Sequence, residues 1–261
     1  MKSLSIILSF LFSFILSQEK ILFVGNSFTF YWNLPSLVNE MCNYTGDIVD
    51  IYQSTAGGAT LKQHWVGDKN LKTMDLLKEN KYSLIILQDH SQNPILKTKE
   101  SLEYFSRFIK IAKKNSSRSI IYGTWTYPSM PIKSSYGKDP IISNLIPLSK
   151  EFNVPIAPVG TAFRLFQERY PNISLFTSDN KHPSPVGTYL AACIFYRMIT
   201  KKNSKGLPRR FTTEDKNGKK IYINIVEKVT AEKCQLLADS IILQQYSVSY
   251  THLRAHETVV H

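Results

Sequence analysis

The sequence predicts an α/β fold, a three-layer α/β/α sandwich around a central parallel sheet, from a few observations. Short apolar runs alternate with amphipathic stretches along most of the chain. One run, Leu84–Leu87, is apolar at every position, as expected of a strand covered on both faces. A length of 261 residues with 43% hydrophobic composition is enough for one large core. Strand and helix repeated in this order imply parallel strands with helices on both faces.

The elements follow in order. Ile21–Val24 reads as the first strand, Leu34 to Met41 as a helix and Ile48–Tyr52 as the second strand. Leu71 to Leu77 is helical and Leu84–Leu87 is the third strand. Leu102 to Lys113 carries a helical stripe of Phe105, Phe108, Ile109 and Ala112. Ile120–Tyr122 is a strand, Ile142 to Phe152 a helix and Pro155–Pro158 a last short strand. From Pro185 to Ile199 nearly every residue is apolar, which predicts a deeply packed helix with Ser184 as N-cap and Pro185 in its first turn. Residues 201–217 are polar and read as a surface excursion. A final helix starts near Thr230.

Both ends differ from the rest. Met1-Lys2, the apolar run Leu4 to Leu16 and then Ser17 have the form of a secretory signal peptide, too short for a membrane span. Val248 to Thr258, VSYTHLRAHET, reads as an in-frame translation of a sequencing-library adaptor, with no periodicity or turn chemistry. The expected organisation is therefore a signal peptide over 1–17, one domain over 18–246 and a non-native tail over 247–261. Localisation would be extracellular or in the secretory lumen. Sequons at Asn43, Asn115 and Asn172 fit that route as glycosylation sites.

The net charge of +12 is scattered rather than gathered on one face or interleaved with aromatics, so no nucleic-acid partner is expected. Three cysteines, Cys42, Cys193 and Cys234, show no metal spacing. Cys193 reads as a buried hydrophobe, and a Cys42–Cys234 disulfide is compatible with an oxidising compartment without being implied by sequence. No metal or other cofactor is expected, and no carboxylate pair suggests a glycosidase.

In open parallel sheets ligands bind at the carboxyl ends of the strands. There the sequence places Gly25-Asn26-Ser27, then Ser54 to Gly58, then Gln88 to Gln92, then Gly123-Thr124-Trp125, and late in the chain SDNKHPSPVGTYL with Asp179 and His182. LFVGNSFT, a GG followed by LKQHW, LQDHSQNP, APVG and DNKHPSPVGTYLAA occur in this order from Ile21 to Tyr196. Together they resemble the SGNH (GDSL-like) hydrolase superfamily, whose sandwich is flavodoxin-like.

The resemblance implies a serine esterase acting on O-acyl esters. Ser27 would be the nucleophile, His182 its base and Asp179 the carboxylate that orients the imidazole. The oxyanion hole would take the N–H groups of Ser27 and of Gly58 or Gly57. The superfamily adds an Asn side chain from Gly-x-Asn-Asp after the third strand. This sequence has no such motif, and Gln88 is read as the replacement donor, with His90 and Gln92 as alternatives. His90, Gln92, His64 and Trp125 are candidates for the cleft. His64 has a structural reading beside that one, and Trp125 is either an aromatic wall for a sugar ring or a core-edge residue. The expected partner is a small-molecule or glycan acyl ester, a glycan O-acetyl group first. Lipid-ester hydrolysis and a non-catalytic glycan-binding protein on the same fold are the alternatives.

Overall fold

Strand β1 (Glu19–Gly25) is completely buried from Ile21 to Gly25 and forms the middle of the molecule. It pairs in parallel with β2 (Val49–Thr55) on one side and β3 (Leu84–Leu87) on the other. β4 (Arg118–Tyr122) and β5 (Ile156–Ala157) extend the sheet, giving the order β2-β1-β3-β4-β5 with every pairing parallel. The computed structural model describes residues 18–131 and 138–241. The proposed signal peptide, the last residues of the expected domain and the adaptor-like tail lie outside the described residues.

Helices α1 (Ser27–Phe30), α2 (Leu34–Tyr44), α3 (Leu61–Val66), α4 (Thr73–Glu79), α5 (Asn93–Leu96), α6 (Thr98–Lys114), α7 (Pro140–Phe152), α8 (Val159–Arg169) and α9 (Pro185–Thr200) connect or follow these strands. Helix α10, residues 228–241, closes the described chain. The result is the expected three-layer α/β/α sandwich. β1 is its switch point, because the chain passes to β2 on one side and returns to β3 on the other. Open sheets bind ligands at such a point.

Helix α9 is buried from Gly187 to Ile199. Ser184 caps it by accepting from the Gly187 N–H at 3.2 Å, and Pro185 fills the first turn where no N–H is needed. Its Phe195 ring meets Phe23 of β1 edge-on at 5.2 Å and Tyr122 of β4 at 4.8 Å. Truncating such a residue to alanine costs about 3–5 kcal/mol. The residues just before α9 are thereby rooted in the core.

The polar stretch after α9 is more ordered than expected. Strands β6 (Arg210–Glu214) and β7 (Lys220–Ile225) form an antiparallel hairpin. Both strands are largely exposed, so they lack the apolar alternation that marks a half-buried strand. Asn217-Gly218 in the turn was the readable signal. Cys42, Cys193 and Cys234 are buried free thiols, without the Cys42–Cys234 bridge.

Candidate active site at the end of strand β1

The turn after β1 is held from below by side chains. Asn26 donates its N–H to Gln88 Oε1 at 2.8 Å and its amide Nδ2–H to the Ala59 carbonyl at 2.9 Å. Its Oδ1 caps α1 by accepting from the Phe28 N–H at 3.0 Å. Thr29 Oγ1 also donates to Gln88 Oε1, at 2.9 Å. A Cβ on residue 25 would collide with both Thr29 Oγ1 and Gln88 Oε1, which is why glycine stands there. A fully buried imidazole completes the support. His64 donates from Nε2 to the Gly25 carbonyl at 2.9 Å, so its Nδ1 accepts from Thr73 Oγ1 at 2.7 Å. Burial holds the His64 pKa down to about 4, against the opposing effect of the Gly25 bond.

This scaffold presents Ser27 as the first residue of α1. Its Oγ lies 2.9 Å from His182 Nε2, across 155 residues of sequence. His182 Nδ1 lies 2.5 Å from Asp179 Oδ2. His182 donates its Nδ1–H to the carboxylate, which leaves Nε2 to accept from the Ser27 hydroxyl. Asp179 also accepts from the backbone N–H groups of Lys181 and His182, each at 2.9 Å, and from Thr177 Oγ1 at 2.8 Å. Desolvation works to raise the Asp179 pKa, but these bonds, the imidazole's foremost, outweigh it and hold the carboxyl well below the usual range.

Two aromatic rings fix the imidazole plane. Tyr31 stacks on His182 at 4.1 Å with an interplanar angle of 10°, and Phe28 meets it edge-on at 5.7 Å. Sequence reasoning gave neither residue a role, although both closely follow the serine. Trp125 belongs to the support and not to a cleft wall. It is 2% exposed, stacked between Phe28 at 4.5 Å and Phe163 at 4.1 Å, and donates Nε1–H to the Lys181 carbonyl at 3.0 Å. It therefore joins the serine helix to the Asp179–His182 loop.

Among the described residues the Ser27 N–H has no partner, whereas Phe28, Thr29 and Phe30 donate to Asn26. The N–H groups of Gly57 and Gly58 are likewise unpaired and exposed. Gly58 has φ of 60°, a conformation that favours glycine. The expected third donor, Gln88, is committed elsewhere. It is fully buried, its Oε1 takes two bonds, and its Nε2 donates to the Asp89 carbonyl. His64 is also buried away from the cleft that was one of its two readings. Gln92 donates Nε2–H to Tyr127 Oη at 2.9 Å. His90 is half-buried, and its Nδ1 accepts from the Gln92 N–H at 3.4 Å, so Nε2 carries the proton and has no partner among the described residues. Burial, with Lys181, Lys69 and Lys97, lowers the His90 pKa against the opposing charge of Asp89.

The parallel sheet order and the helices on both faces make a flavodoxin-like sandwich that is shared with solved SGNH hydrolases. A candidate SGNH hydrolase from Slackia heliotrinireducens superposes with a TM-score of 0.59 at 21% identity, over 70% of this chain and 99% of its own. A DUF4886 family protein from Bacteroides uniformis gives 0.61 at 18% identity, over 87% and 95%. An acetyl xylan esterase gives 0.54 at 12% identity, over 69% and 99%. At these identities the likeness is one of fold. No family model matches the chain, and no curated protein matches it.

Proposed function

We propose that this chain is a serine ester hydrolase, and that its substrate is an O-acyl ester, a glycan O-acetyl group first. The observation that carries the reading is the Asp179–His182–Ser27 chain of hydrogen bonds at the switch point of the sheet. Ser27 Oγ attacks the acyl carbonyl while His182 Nε2 takes its proton. The oxyanion is met by the N–H groups of Ser27 and of Gly58 or Gly57, with His90 Nε2–H as the third donor in place of Gln88. The intermediate collapses, the C–O bond to the alcohol breaks, and His182 returns the proton to the leaving oxygen. Water then attacks the acyl-Ser27 ester with His182 again as base, releasing the acid and restoring the serine.

The acetyl xylan esterase among the structural neighbours supports an acetyl ester. Secretion rests on the signal-like segment 1–17, and the exposure of Asn43, Asn115 and Asn172 is compatible with glycosylation. A fluorophosphonate probe tests the reading. It should label the wild-type protein and not Ser27→Ala. A folded wild type that takes no label and turns over no p-nitrophenyl acetate overturns it, leaving the non-catalytic glycan-binding reading on this fold.

A further inference from the structure

Directly after the serine helix the backbone turns in an unusual way. Trp32 has φ 48° and ψ 35°, and Asn33 has φ 55° and ψ 42°. Asn adopts the left-handed region readily, but there a bulky residue such as Trp32 costs about 1–2 kcal/mol and persists only where the surroundings impose it. On one side Tyr31 is pinned by its stack on His182 and by Thr188 Oγ1, which donates to its carbonyl at 3.4 Å. On the other, Leu34 and Pro35 are buried at the start of α2.

The strained turn gains nothing for the core. Trp32 is 45% exposed. Asn33 stands at the N-cap of α2, where an Asn side chain ordinarily accepts from the helix, yet it makes no capping bond. Its amide is exposed and has no partner among the described residues. An exposed indole and an exposed amide without a capping bond thus follow in the chain directly after the ring that stacks on His182.

The oxyanion donors would come from the ends of β2 and β3 and from Ser27. His182 must protonate the leaving oxygen, so the alcohol portion of an ester lies against the imidazole, where Tyr31 stacks and from which Trp32 and Asn33 follow directly in the chain. We propose that Trp32 and Asn33 form the subsite for the alcohol portion of the substrate, and that this alcohol is a saccharide. A pyranose has an apolar C–H face that stacks on an indole and a rim of hydroxyls that bond to an amide. An aliphatic alcohol or acyl chain has no use for the amide. The inference rests on the ester-hydrolase reading and specifies its substrate class.

Steady-state kinetics on p-nitrophenyl acetate, p-nitrophenyl octanoate and acetylated xylo-oligosaccharides test it. Trp32→Ala should lower kcat/KM on the saccharide, relative to p-nitrophenyl acetate, by about tenfold or more, mainly through KM. Trp32→Phe should recover much of that loss, and Asn33→Ala should lower the same ratio several-fold. Equal losses on both substrates, or a saccharide ratio within twofold of wild type, overturn the subsite. So does a selective loss on the octanoate, which would assign the platform to an acyl chain. A wild type active on p-nitrophenyl acetate but on no acetylated saccharide overturns the subsite and leaves the esterase standing. A folded wild type that neither labels nor turns over p-nitrophenyl acetate removes the esterase reading itself. In that case xylo-oligosaccharide quenching of tryptophan fluorescence in the wild type, lost in Trp32→Phe, would still report the platform, and its absence would overturn it.

Discussion

Gln88 Oε1 accepts the Asn26 N–H at 2.8 Å, which fastens the residue before Ser27 to the end of β3. The amide that sequence position offered to the oxyanion is thereby part of the floor beneath the serine. Gln88→Ala leaves the Asn26 N–H and the Thr29 hydroxyl without their partner in a buried site. It should cost about 2–4 kcal/mol of stability, read by urea unfolding, with a loss of activity that accompanies the loss of fold. Lost activity at unchanged stability would return Gln88 to the oxyanion hole.

In the proposed mechanism His90 Nε2–H takes the donor role that the buried Gln88 amide cannot. His90→Ala should lower kcat on p-nitrophenyl acetate by about 100-fold or more with little change in KM, and His90→Asn should restore part of it. A fall of less than about tenfold would leave the oxyanion to the backbone donors alone.

Asp179→Asn keeps an acceptor for the Lys181 and His182 N–H groups but opposes the Nδ1 proton of the imidazole. Turnover should fall by about a thousandfold or more, measured in single-turnover acylation. The pairing also has a signature in stability. The Asp179 pKa is depressed in the folded protein, so its contribution is present above the unfolded carboxylate value and is lost as pH falls through the folded one. The stability difference between wild type and Asp179→Asn should therefore narrow below about pH 4.

His64 responds to acid in a wider window. Its folded pKa of about 4 lies below the 6.5 of an exposed imidazole. Above 6.5 both states are neutral and stability is full. Between 6.5 and about 4 only the unfolded chain takes up the proton, and about 3 kcal/mol is lost. Wild type should lose that much more than His64→Asn between pH 7.5 and 4 in urea titrations. Parallel losses in the two proteins would show that His64 is not the titrating group.

The sheet and the Asp179–His182–Ser27 arrangement were largely legible in sequence. Leu84–Leu87 reads as a strand buried on both faces, as the structure shows it to be, and strand ends point to where Ser27, Gly57-Gly58 and the Asp-x-x-His pair gather. Helix α8 was legible too, since Val159, Ala162, Phe163 and Phe166 have helical spacing, but the expected element order omits it. Gln88 and Trp125 show the other kind of miss. Both follow strand ends, yet position along the chain does not say whether a side chain turns up into the cleft or down beneath the turn. Contacts from distant residues decide that, here Thr29 and Asn26 for Gln88 and Phe163 for Trp125. Tyr31 and Trp32 went unread because their value lies in a stack and a left-handed turn, neither of which has a sequence period.

The proposed nucleophile and its base are 155 residues apart in the chain, Ser27 at the start of α1 and His182 on the loop that leads into α9. During synthesis Ser27 emerges early, but no nascent chain that stops before residue 182 can deprotonate it. Because the loop is anchored to a helix buried against β1 and β4, the active pair should assemble only in the step that completes the core. Turnover would then appear together with protease resistance during refolding, with no reactive intermediate ahead of it.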